Sequence, residues 1–174
     1  ETGALCADFS EYKTEPQNGF QRAMRSSSKG VLNHRAAKIG KINQERLEFI
    51  PPGGNWTNIP HDLLPKGMKR ARRSDHTKRY GRVDPDGLAS TILTKCDPHW
   101  GAYFHYNQDR VFSVREAARI QTFPGHFEFL GTLSEQYEQV GNAVPPLLAA
   151  AIGKSLIGVL SEKIKSDMAV EWRA

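Results

Sequence analysis

The chain is poor in cysteine: Cys6 and Cys96 are its only two in 174 residues. Two thiols so far apart cannot build a disulfide framework, and both are read as free in a reducing interior. Long apolar runs are lacking too. No stretch is expected to reach the length of a membrane span, so a membrane is not expected as a partner. Residues 1–9 have neither a basic start nor an apolar core, so no secretory leader is expected in them. No internal repeat is present. Acidic residues are scarce in one place: between Lys66 and Arg82 the only acid is Asp75.

What is there is ordinary for a folded domain. Hydrophobic residues make up 39% and charged residues 25%, and the length suffices for a real core. The formal net charge is +5 and the pI about 9.3. That permits nucleic acid as a partner without demanding it. Placement says more. Lys66, Lys69, Arg70, Arg72, Arg73, Lys78, Arg79 and Arg82 crowd into the stretch that holds Asp75 alone. Such a run is either a solvated loop or a strip that neutralises phosphates.

Residues 1–49 read as an arm or linker with possible helices. Leu32, Ala36, Ile39, Ile42 and Leu47 allow helical pieces, with Asn33 and His34 in the first turn. The segment from Ile50 to Pro60, rich in Pro and Gly, cannot be regular helix or central strand. It is read as a shaped loop with Trp56 as its anchor. Asp84-Pro85-Asp86-Gly87 is a turn by chemistry. Short strands are expected over Leu88 to Thr94 and over Trp100 to Tyr106. Cys96 is read as structural, because a zinc site with His99 lacks further ligands at suitable spacing.

The last third is helical. Ser113-Val-Arg-Glu116 and Thr132-Leu-Ser-Glu135 are capping boxes. The helix opened by the second would end at Gly141. Pro145-Pro146 suits the first turn of a last helix. Leu148, Ala151, Ile152, Leu156, Val159 and Leu160 give it a stripe at helical spacing, running to about Lys165.

The residues Asp109 to Pro124 (DRVFSVREAARIQTFP) resemble the ninth motif of the DNA (cytosine-5)-methyltransferases. Gln139 to Pro146 (QVGNAVPP) resembles the tenth, in the family's order and at its usual separation. Pro85 to Ile92 and Ile50 to Pro60 are similar to the target recognition region, more loosely. His105-Tyr106 stands where a His-Pro is common. The family's early motifs, which include the Pro-Cys nucleophile, are not found; neither Cys6 nor Cys96 follows a proline.

The resemblance implies an α+β fold. A small, irregular, loop-rich β recognition domain over 50–108 would precede helices over 109–165, with a tail over 166–174. Those helices would pack on an absent α/β domain that binds S-adenosylmethionine. The family moves a methyl group from that cofactor to carbon 5 of a cytosine extruded from duplex DNA. Its covalent chemistry needs an activated nucleophile, which the resemblance places in an N-terminal half. This chain alone is therefore expected to be inactive. Thr91, Ile92, Thr94, Lys95 and His99 are the candidates to reach base edges. Lys69, Arg70, Arg72, Arg73, Lys78, Arg79 and Arg82 would hold phosphates. Gly141, Asn142, Ala143 and Val144 would line the cofactor pocket. Arg115, Glu116 and Arg119 would brace the recognition region; the alternative is an exposed pair of arginines one turn apart.

The partners implied are duplex DNA and the catalytic half, as a separate chain or a missing covalent part. The setting implied is the cytoplasm of a bacterium, near its nucleoid. Two other readings stay open: a stand-alone DNA-binding module, and an assembly fragment that does not bind DNA.

Overall fold

A computed structural model describes residues 6–171, with side chains over 9–161. It divides into two compact units, Glu1–Ala143 and Val144–Ala174.

The first unit opens with strand β1 (Cys6–Ser10) and helix α1 (Gly19–Arg25), then strand β2 (Val31–Arg35) and helix α2 (Lys41–Leu47). β1 and β2 are antiparallel, with Phe9 opposite Leu32 and Ser10 opposite Val31. The expected arm is thus a folded element. Asn33 and His34 lie in β2, not in a helical turn. Asn33 has a φ of 56°, a left-handed backbone that asparagine adopts more readily than most residues. Its carboxamide accepts from Phe129 N at 3.0 Å and donates to Phe129 O at 2.8 Å.

The middle holds two 3-10 turns, Trp56–Asn58 and His61–Leu63, and among the described residues no strand. The expected strands over Leu88 to Thr94 and Trp100 to Tyr106 are absent. Single bridges join Phe104 to Arg82 and to Val111 instead. Prolines and tight turns break every run before a ladder can lengthen. The segment is held by packing: Leu47, Ile50, Trp56, Ile59, Met68, Tyr80, Phe104 and Val111 form one buried cluster.

Helix α3 (Val114–Ile120) and helix α4 (Leu133–Asn142) carry the second cluster. Both predicted capping boxes are formed, Ser113 with Glu116 and Thr132 with Glu135. Val114, Ala117 and Ala118 are fully buried, with Phe112, Phe123, Phe129, Tyr137 and Val140 around them. α4 does not stop at Gly141; it continues through Asn142.

The second unit is helix α5 (Pro146–Glu171), longer than the expected end near Lys165. Its predicted stripe is exposed: Leu148, Ile152, Leu156, Val159 and Leu160 are each half exposed or more. Leu147 and Ile157 lie off the stripe and are exposed as well. The range Leu133–Ser161, which takes in α4 and the start of α5, is long and apolar enough to cross a membrane by length and composition, with a mean hydropathy of 1.7 in its most apolar window. This corrects the expectation that no run approaches that length. Leu147, Leu148, Ile152, Leu156, Ile157, Val159 and Leu160 carry the hydropathy, and the alanines between them add to it.

Candidate nucleic-acid interface

The basic segment is pinned from within. Trp56 is buried, and its Nε1 donates to Asp75 O at 3.1 Å. Met68 is buried beneath the same segment. Asp75, the lone acid, accepts from Arg72 N at 3.1 Å and so shapes the turn. With these inner contacts made, Lys66, Lys69, Arg70, Arg72, Arg73 and Lys78 remain exposed. No ion pair among the described residues involves them. A row of unpaired cations on a fixed turn is a surface suited to polyanions.

Arg82 departs from the strip. Its side chain is 10% exposed and pairs with Asp109 at 2.8 Å. The same guanidinium donates to Leu47 O at 3.2 Å. It ties the middle segment to α2 and to the ninth-motif loop, so its geometry is that of a bracket, not a phosphate grip. Arg79 is half-buried and lies over the Trp100 ring, 4.9 Å from its centroid.

The base-reading candidates also divide. Ile92 is buried in the α3–α4 cluster, a correction to its place among residues reaching bases. Its burial anchors the loop, as does Tyr103 Oη donating to Thr91 O at 2.8 Å. Thr91, Thr94 and Lys95 are exposed around it. His99 is half-buried, with Nδ1 hydrogen-bonded to the Tyr80 hydroxyl at 3.0 Å. Cys96 is buried, and that burial pushes its thiol up to about 12. Such a thiol is not a nucleophile at neutral pH.

The ninth-motif residues are not an exposed pair. Arg115 is 2% exposed. Its guanidinium donates to Leu32 O (2.8 Å), Pro124 O (3.1 Å), Asn33 Oδ1 (3.2 Å) and Phe127 O. Desolvation, with Arg119 nearby, lowers it to about 10. Arg119 donates to Tyr12 Oη at 3.0 Å. Both arginines therefore hold the β1–β2 region, where bracing of the recognition region was expected.

Glu116 does reach toward that region. It takes both guanidinium nitrogens of Arg110, at 2.6 and 2.7 Å, and accepts from Ser113 N at 2.8 Å. His105 Nε2 is 3.6 Å from its other oxygen. Burial acts to raise the Glu116 carboxyl, but the Arg110 bonds and charge outweigh it and the net value is lowered.

The tenth-motif residues occupy different settings. A Cβ on Gly141 would collide with the Leu93 carbonyl and the Thr94 nitrogen. Its close approach is thus to this chain's own backbone. Ala143 is half-buried, and its carbonyl accepts from Gln121 Nε2 at 3.4 Å. Asn142 and Val144 are exposed.

Sequence reasoning missed Arg110, Asn33 and Tyr137. Arg110 is buried and completes the Glu116 pair; its spacing of six residues from a capping-box glutamate was the available signal. Tyr137 Oη donates to Phe112 O at 2.6 Å and accepts from Ala37 N at 3.1 Å. It thereby joins α4 to β2's end and to α3's start.

Comparison with known proteins gives a consistent picture. The pattern for C-5 cytosine-specific DNA methylases matches residues 6–158. The chain is 36% identical over 163 residues to DNA (cytosine-5)-methyltransferase 1B of Oryza sativa subsp. japonica, covering 84% of this chain and 11% of that protein. It is 36% identical to the Type II methylase M.HgiDII of Herpetosiphon aurantiacus, covering 73% of this chain and 37% of that one. It is 36% identical to the Type II methyltransferase M.NgoFVII of Neisseria gonorrhoeae, covering 81% and 36%. The chain thus spans about a tenth of the plant relative and just over a third of the bacterial ones. In fold it is similar to a crystal structure assigned to a prophage-encoded DNA modification methyltransferase of E. coli, with a TM-score of 0.59, 23% identity, and coverage of 92% of this chain and 43% of that one. With a family match over most of its length, the chain belongs to the C-5 cytosine-specific DNA methylases.

Proposed function

We propose that this chain is the DNA-recognition part of a DNA (cytosine-5)-methyltransferase and works with a half that carries the nucleophile. The observation that carries the reading is the exposed, unpaired row Lys66 to Lys78, fixed from beneath by Trp56 and Met68. In this reading Lys69, Arg70, Arg72, Arg73 and Lys78 grip phosphates and set the register. Thr91, Thr94 and Lys95, on a loop anchored by Ile92 and Tyr103, then reach base edges. The buried Arg110–Glu116 pair keeps that platform from shifting when the strip is loaded.

S-adenosylmethionine, when bound, supplies the methyl group. Asn142, exposed at the end of α4, would offer its amide to that cofactor. Gly141 serves that placement indirectly by letting α4 close on the recognition loop. The chain alone is inactive in this reading, since neither Cys6 nor Cys96 follows a proline as the family's nucleophile does, and the Cys96 thiol is buried and held protonated. α5 supports the need for another half: its apolar residues are exposed on more than one side, and a helix of that kind requires cover.

The test is binding of the chain to mixed-sequence duplex DNA at increasing salt. The reading expects log K to fall steeply and linearly with log salt, by about 0.9 per phosphate contact. Absence of salt-dependent binding favours an assembly fragment and overturns it.

A further inference from the structure

The last carbonyls of a helix have no partner within it. α4 ends without the left-handed glycine that commonly supplies one. Ala143 leaves the helix extended, at φ -78° and ψ 146°, and its N–H reaches Val140 O only at 3.4 Å. A side chain from another element fills the role. Gln121 Nε2 donates to Val140 O at 3.1 Å and to Ala143 O at 3.4 Å. The first bond caps the helix. The second lies beyond the helix and fixes the turn that follows it. One carboxamide thus spans the backbone on either side of Gly141 and Asn142.

Gln121 is itself held. It ends α3, with its N–H on Ala117 O at 3.0 Å. Phe123 N closes the same helix end by donating to Ala118 O at 2.8 Å. α3 is anchored in turn by Arg115 and by the Arg110–Glu116 pair. The corner is confined from other directions too. Val140 is fully buried, and Gly141 lies against the backbone of Leu93 and Thr94. Asn142, between these fixed points, is exposed. A side chain offered from a fixed corner loses less freedom when it takes a ligand.

We infer that Gln121 is a positioning residue for cofactor binding: through Val140 O and Ala143 O it fixes the corner from which Asn142 meets S-adenosylmethionine. The inference rests on the reading of Asn142 as part of the cofactor site and deepens it. The ninth motif then serves the cofactor as well as the fold.

The experiment mixes the full chain, Gln121→Leu and Gln121→Lys each with a separately made N-terminal half. Binding of labelled S-adenosylmethionine is read by equilibrium dialysis, and amide exchange at Ala143 is read in the chain alone. Leucine keeps the bulk of the side chain and removes both donor bonds. Lysine restores a donor, and its charge suits a helix C-terminus. Gln121→Leu should weaken cofactor binding by roughly 3- to 30-fold, the worth of one or two neutral hydrogen bonds. It should also speed exchange at Ala143 by about tenfold. Gln121→Lys should stay close to the parent in both, and duplex DNA binding should be equal for all three. Should Gln121→Leu fail to fold, Gln121→Glu, the same shape with no donor, takes its place. Equal cofactor binding by the parent and Gln121→Leu, or a weakening that Gln121→Lys shares, overturns the positioning role alone. No cofactor binding by the parent mixture overturns the reading of Asn142, and the inference with it.

Discussion

Gly141 lies against the backbone of Leu93, so close that any β-carbon would strike the Leu93 carbonyl. Gly141 thus sets the distance between α4 and the loop that carries Leu93 and Thr94. In an unconstrained helix, Gly141→Ala should stabilise by about 0.5–1 kcal/mol. Here overpacking should reverse the sign and cost about 1–3 kcal/mol. Urea unfolding of the variant reads that sign directly, and stabilisation would show the contact to be slack.

Arg115 is buried with no carboxylate among its hydrogen-bond partners, and it serves the backbone carbonyls of Leu32, Pro124 and Phe127. Arg115→Met should destabilise by about 3 kcal/mol or more, since carbonyls on two segments lose their donor. Arg115→Lys should not restore it, because one ammonium cannot span β2 and the loop after α3. The check is the denaturant midpoint of both variants. Full rescue by lysine would contradict the bracing geometry.

The basic residues should separate by experiment into two kinds. Replacing Lys69, Arg70, Arg72 and Arg73 together with glutamine should flatten the salt dependence of DNA binding, by about 0.9 for each phosphate contact removed. Its unfolding midpoint should stay within about 0.5 kcal/mol of the parent. Arg82→Gln should do the reverse and cost about 1–3 kcal/mol of stability, because Leu47 O and Asp109 lose their partner. Equal behaviour of the two variants would erase the distinction.

Acid should weaken the fold early. Burial lowers His34 and His105 below their ordinary 6.5, against the raising effect of Glu116 and with Arg110 acting alongside. An unfolded chain then takes up these protons more readily than the folded one. The stability is fully present above pH 6.5 and is lost as pH falls through the lowered folded values. Glu116, also lowered, adds a second loss at more acid pH, below the ordinary carboxylate value of 4.5. Urea midpoints at pH 7.5 and 5.5 should fall, and His105→Gln should shrink the difference. A flat profile across that interval would contradict the assignment.

How much was legible in the sequence depended on how local the cause was. The capping boxes at Ser113 and Thr132 are written within four residues, and both are formed. Trp56 between prolines read as an anchor and is buried. The pairing of β1 with β2 was not legible, because Phe9 meets Leu32 across a helix and two loops. Ile92 sits among β-formers, yet its burial comes from tertiary contact with α3 and α4, not from a strand. Arg82 counts with its basic neighbours by composition, and only Asp109 and the Leu47 carbonyl reveal its inward turn. Trp100 was read as strand because alternation resembles pleating, although a turn held by Asp97 presents it.

The most direct measurement is methyl transfer from labelled S-adenosylmethionine to mixed-sequence duplex DNA. It is made with this chain alone, and again after mixing with a separately made N-terminal half from the same family. The account predicts no transfer by the lone chain and transfer on mixing. Transfer by the lone chain would contradict it and direct attention to Cys96.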